Sequence, residues 1–135
     1  MSGSLRFNAM HFMPYVYLPD NHKDFKSTWV NFPNKYYDPE KGHELYNRYF
    51  EQLVLADRLG FDAIVVNEHH NTVYSMMATP NVIAAALIPQ TKRARICVWG
   101  VPPNFMLPNR LAESKAGYSF AGTAAVLLGA IAFRL

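Results

Sequence analysis

The 135-residue chain has one cysteine, Cys97, so no intrachain disulfide can form. Packing must hold the fold, and a reducing setting such as the cytoplasm is expected. Cys97 sits in an apolar run, where it reads as a core residue. Charge has no large excess of either kind: 17% of residues are charged, an ordinary globular balance, with a formal net charge of +3. The basic residues are scattered except at Lys92-Arg93-Ala94-Arg95, which reads as a solvated turn. No zinc-finger spacing or other nucleic-acid module is visible, so no nucleic-acid partner is expected. Met1-Ser2-Gly3-Ser4 lacks the basic start and apolar stretch of a secretory signal. No glycine-rich phosphate loop follows the first candidate strand, which argues against a dinucleotide-binding Rossmann domain.

What is present centres on Gly60-Phe61-Asp62-Ala63-Ile64-Val65-Val66-Asn67-Glu68-His69-His70. The run Ala63 to Val66 is apolar throughout and reads as a strand buried on both faces. Polar and ionisable groups follow it at once. In parallel α/β proteins, ligands sit at the carboxyl ends of strands, so these residues are the candidate site.

The remaining elements alternate around that strand. Leu5 to Met13 begins as a first strand, closed by Pro14. Tyr15 to Tyr37 has no clear period and reads as a long ordered loop. Trp29, Phe32, Tyr36 and Tyr37 are aromatics that could line a pocket there or pin the loop down. Asp38-Pro39-Glu40 marks a helix start, which Gly42 weakens, so the helix is expected to firm up from His43. Tyr46, Tyr49, Phe50, Leu53 and Ala56 form its apolar face, and Gly60 ends it. Thr79-Pro80 opens a second helix from Asn81 to about Ile88, cut by Pro89. Ala94 to Gly100 is a third strand with Ile96 and Val98 as apolar members. The order implies an α/β fold with a parallel sheet.

Residues 116–133 carry no charge. Their length lies near the lower limit for a membrane span, about 18 residues, but the first half is only mildly apolar. A buried or disordered apolar helix is the first expectation, with membrane association through residues 116–133 as the alternative.

Several pieces together carry a family resemblance: Leu59-Gly60-Phe61-Asp62, Asn67-Glu68-His69-His70, Thr79-Pro80-Asn81 with Ala84-Ala85-Ala86, and Thr91-Lys92. Asp38-Pro39-Glu40-Lys41-Gly42-His43-Glu44-Leu45 and Asn109-Arg110-Leu111-Ala112-Glu113 add to them. From about Leu5 to Glu113 the chain resembles the bacterial luciferase-like monooxygenases, which are flavin-dependent (β/α)-barrel enzymes. The resemblance implies a partial TIM (β/α) barrel with about the first three strand–helix units in residues 1–113. Residues 114–135 form a non-family apolar tail. A whole barrel needs about 250 residues, and the family pattern stops after Glu113. A truncated or frame-shifted product is therefore expected.

The same resemblance implies reduced FMN, with a deazaflavin as the alternative, and molecular oxygen as co-substrate. It implies a small-molecule substrate, a separate flavin reductase as partner, and self-association. By motif position, His69 is the proton donor or acceptor. Asn67, Glu68, Gly100 and Val101 are expected at the cofactor, with an ordinary turn before Pro102-Pro103 as the alternative for Gly100-Val101. His11 and His70 are expected at the substrate pocket, with a structural bond to a neighbouring strand or loop as the alternative for His70. No metal is implied. The family holds the flavin phosphate with later barrel loops, so this chain alone is expected to bind the cofactor weakly or not at all.

Two rival readings stand beside this one. Glu68, His69 and His70 could be ligands of a metal-dependent hydrolase, although neighbouring strand residues face opposite ways. Alternatively the chain is a non-catalytic remnant, whose open sheet edge and apolar tail drive association.

Overall fold

The computed structural model describes residues 5–30, 32–100, 107–110, 113 and 127–129. Among these, the chain runs β1 (Asn8–Met10), α1 (Pro39–Arg58), β2 (Ala63–Val66), α2 (Pro80–Leu87), β3 (Arg95–Trp99) and β4 (Leu127–Gly129). Short 3-10 turns lie at His22–Asp24, Asn34–Tyr36 and Ile88–Gln90. The strands form one parallel sheet in the order β1-β2-β3-β4. Parallel neighbours need a crossover between them, and α1 and α2 supply the first two.

β2 is the centre of the core. All four of its residues are buried, while β3 buries Ile96 and Val98 and exposes Arg95 and Trp99. Ile64 pairs in register with Ala9 and with Ile96, and Val66 with Val98. α1 adds Leu45, Tyr49, Leu53, Val54 and Ala56 to the core, and α2 adds Ile83, Ala84 and Leu87.

α1 begins at Pro39, earlier than the expected firm start at His43. The Asp38 carboxylate explains this, since it accepts the N–H groups of Glu40 and Lys41 at 2.9 and 3.3 Å. Such a cap satisfies two of the helix's unpaired amides. The helix ends at Gly60, whose φ of +88° is readily adopted only without a side chain. The first strand is shorter than the Leu5–Met13 expectation, with Phe7 65% exposed ahead of it.

Asp62 ties three strand entrances together. Its carboxylate accepts Phe7 N–H at 2.8 Å, its own N–H donates to Phe7 O at 2.8 Å, and its carbonyl accepts Arg95 N–H at 3.0 Å.

At residues 127–129 the backbone is strand where a helix was expected. It pairs Cys97 with Leu127, Val98 with Leu128 and Trp99 with Gly129. Those bonds occupy the β3 edge, which would otherwise present unpaired N–H and C=O groups. The rest of the 116–133 run lies outside the described residues. Among the described residues, no helix is long and apolar enough to cross a membrane.

Candidate active site

The carboxyl end of β2 runs straight into Asn67, Glu68, His69 and His70. Although the ladder stops at Val66, side chains still alternate. The Asn67 Oδ1 and His69 Nδ1 atoms are 2.6 Å apart, and the Glu68 carboxylate meets His70 Nε2 at 2.8 Å. The two bonded pairs are thus interleaved along the chain. Asn67 is 3% exposed, while the His70 side chain is 60% exposed. His69 and His70 therefore do different things.

Asn67 is the best-anchored of the four. Its Nδ2 donates to the His11 carbonyl at 2.8 Å, and its Oδ1 accepts from the buried Ser75 hydroxyl at 3.2 Å. Ser75 Oγ in turn accepts the Met77 N–H at 3.2 Å. The His69 N–H donates to the Met77 carbonyl at 3.0 Å. This segment is also bonded to the chain after β1: Tyr15 N–H donates to Val73 O and Met76 N–H to Met13 O, at 2.8 and 2.9 Å. The Tyr46 hydroxyl donates to Met76 O. Residues 71–77 are thereby bound to the end of β1, to α1 and to the end of β2.

The His69 ring is half-buried beside two aromatics, with centroids 5.7 Å from Phe12 and 5.1 Å from Tyr74. Burial, with a smaller contribution from His70, lowers its pKa below the ordinary 6.5 against the opposing pull of Glu68. The ring is neutral at neutral pH. A neutral imidazole has one nitrogen able to take up a proton, as general base chemistry requires.

Gly100 ends β3 beside this strand end. Its φ is +94°, and a Cβ there would lie 3.3 Å from the Glu68 nitrogen. The close approach seen is to the Glu68 backbone. Val101 lies outside the described residues.

His11 joins the site through its backbone. Its ring serves elsewhere: Nδ1 accepts Met13 N–H at 2.8 Å, Nε2 donates to Gln52 at 2.9 Å, and the ring packs 4.5 Å from Tyr49. Glu68, His69 and His70 do not converge, and among the described residues no group of three His, Cys, Asp or Glu could hold a metal ion.

A cavity of about 360 Å³ lies to one side, lined among others by Tyr15, Phe32, Tyr36, Tyr37, Val73 and Met76. The expected pocket aromatics Phe32, Tyr36 and Tyr37 line it. Trp29 does not; it is 62% exposed and lies 5.8 Å from Tyr74. Among the described residues, none of the candidate site residues lines this cavity.

The profile of the luciferase-like monooxygenase family matches residues 28–117. The chain belongs to that family. No curated protein sequence matches it. Among solved structures, it resembles a type II Baeyer–Villiger monooxygenase, the oxygenating constituent of 3,6-diketocamphane monooxygenase from the CAM plasmid of Pseudomonas putida, in complex with FMN. The likeness has a TM-score of 0.65 at 17% identity, over 96% of this chain and 30% of that one. It shows a shared fold, and the chain spans about a third of the length of that relative.

Sequence reasoning missed Ser75 and Phe12, because neither lies in a motif. Phe12 reaches the His69 ring and Ser75 reaches Asn67 through contacts made by loops, and loop paths leave no periodic trace. A flavin fits the residues present on the chemistry of the donor set. The His69 imidazole and the Glu68 carboxylate stand at the end of β2, with Gly100, at the end of the adjacent parallel strand, set against the Glu68 backbone.

Proposed function

We propose that the chain is part of the oxygenating component of a flavin-dependent monooxygenase, contributing the first strand–helix units of a (β/α) barrel from residues 1–113. The observation that carries this reading is the neutral His69 at the carboxyl end of β2, fixed to Asn67 and flanked by Glu68 and Gly100. When bound, reduced FMN supplies the electrons that activate molecular oxygen for insertion into a small-molecule substrate.

Each residue has a separate task. His69 takes up or returns a proton at Nε2. Asn67 orients it. Glu68, held by His70, borders the cofactor, and Gly100 lets the end of β3 approach the Glu68 backbone closely. Phe12 and Tyr74 keep water from one side of the imidazole. His70 lies toward the substrate, and His11 supports the site through its carbonyl. FMN is the expected flavin, with a deazaflavin as the alternative.

A relative described as an oxygenating constituent supports a separate reductase as partner. The exposed Leu5 and Phe7 beside the β1 edge support self-association. The single cysteine suits a reducing, cytoplasmic setting.

The test is oxygen consumption by the chain supplied with FMN and a flavin reductase, with and without His69→Gln. Flavin reoxidation coupled to substrate oxidation in the wild type, lost in the variant, supports the reading. Equal behaviour of the two proteins overturns it.

A further inference from the structure

Each polar atom around Asn67 permits one assignment of protons. The His11 carbonyl can only accept, so the Asn67 amide must present Nδ2 to it, at 2.8 Å. Asn67 Oδ1 therefore faces Ser75 and His69. The Ser75 hydroxyl already accepts the Met77 N–H, so its own proton goes to Oδ1. A flipped amide would set oxygen against the His11 carbonyl and N–H against His69. With Oδ1 at 2.6 Å, His69 Nδ1 must carry a proton, or two lone pairs would meet. Asn67 and Ser75 are 3% and 2% exposed, so little water reaches them to offer an alternative partner.

We propose that Asn67, itself oriented by Ser75, is a positioning residue that sets the tautomer of His69, keeping the proton on Nδ1 and leaving Nε2 as the basic nitrogen on the far side of the ring. His11 makes the contrast clear. Its Nδ1 accepts a backbone N–H, so its neutral ring carries the proton on Nε2. His11 and His69 hold opposite tautomers because their neighbours differ. The charged or ionisable groups acting on His69 are His70 and Glu68, with the Tyr74 ring packed edge-on to it. The proposal deepens the reading of His69 as the proton-handling group and rests on it only for its functional meaning.

The experiment is long-range 1H–15N correlation of the histidine rings in the full chain without cofactor. Wild type is expected to show His69 as the Nδ1–H form at neutral pH. Asn67→Ala, which removes the acceptor, is expected to shift the population toward Nε2–H. Asn67→Asp keeps an acceptor and adds a charge, so it retains Nδ1–H and raises the His69 titration midpoint by about one pH unit or more. A wild-type ring in the Nε2–H form overturns the proposal, as does an unchanged tautomer in Asn67→Ala.

If Asn67→Ala loses its fold, Asn67→Asp is read instead. A retained Nδ1–H with a raised titration midpoint supports the arrangement, and an Nε2–H ring or an unmoved midpoint contradicts it. FMN-induced shifts are recorded on the same samples. A correct tautomer without FMN shifts sinks the flavin reading and leaves this one standing; the reverse result sinks this one alone.

Discussion

The Asp57 carboxylate on α1 lies 2.6 Å from the Ala94 amide nitrogen, and also accepts the N–H groups of Lys92 and Arg93 at 3.0 and 2.8 Å. One side chain, 4% exposed, thereby joins the end of α1 to the turn that launches β3. Asp57→Ala leaves three amide groups without their acceptor, and a loss of about 2–4 kcal/mol in urea unfolding is expected. A loss below about 0.5 kcal/mol would mean that solvent satisfies that turn.

The same group has a pH signature. Burial pushes the Asp57 carboxyl up, but the three backbone donors and the Arg93 charge outweigh it and hold it below the ordinary 3.8. A depressed carboxyl contributes stability that is present above its unfolded pKa and lost as pH falls through its folded pKa. The stability gap between wild type and Asp57→Asn is therefore expected to be constant near neutrality and to narrow below about pH 3.8.

The histidines act in a different window. Burial lowers both His11 and His69 below 6.5, in His11 against the raising effect of its Gln52 bond. Here the unfolded chain binds protons first, so stability falls on acidification from about 6.5 toward the folded values. Urea midpoints at pH 7.5 and 5.5 should show the drop, and replacing both histidines with Gln should flatten it. A midpoint that rises at the lower pH would contradict the burial of these rings.

Gly100→Ala forces a side chain into φ +94° with its Cβ 3.3 Å from the Glu68 nitrogen. A cost of about 1–3 kcal/mol is expected. Changes in the amide resonances of Glu68 and His70 should accompany it. Unmoved resonances would show that the two strand ends are not in contact.

Gly42 presents the opposite situation, since the three atoms nearest to a Cβ there all belong to the Tyr37 ring and hydroxyl. Tyr37 is 46% exposed and can swing outward. Gly42→Ala is expected to change stability by no more than about 1 kcal/mol. It should also break the Tyr37–Tyr15 ring contact at 5.0 Å, which the Tyr15 ring resonances would report.

These outcomes also mark how far the sequence could be read. The β2 strand, the Asp38 cap and the Gly60 stop are local signals, carried by a few neighbouring residues, and all were legible. The Lys92-Arg93-Ala94-Arg95 turn was legible only in its charges. Its amides wrap a carboxylate more than 30 positions earlier, and no local pattern encodes that. The roles of Asn67 and His69 follow the same division. Their place at a strand end is a matter of sequence order, whereas the Ser75 and His11 bonds that orient them depend on how two loops pack. Leu127–Gly129 gave an apolar composition compatible with helix or strand, and pairing with the β3 edge decided it.

The most direct measurement is a titration of the isotope-labelled full chain with FMN to millimolar concentration, followed through the ring signals of His69 and the backbone amides of Glu68 and Gly100. Concerted, saturable shifts at these three residues are the expected result, even for weak binding. Saturable shifts confined to the Tyr15–Tyr37 cavity would contradict a flavin site at the end of β2.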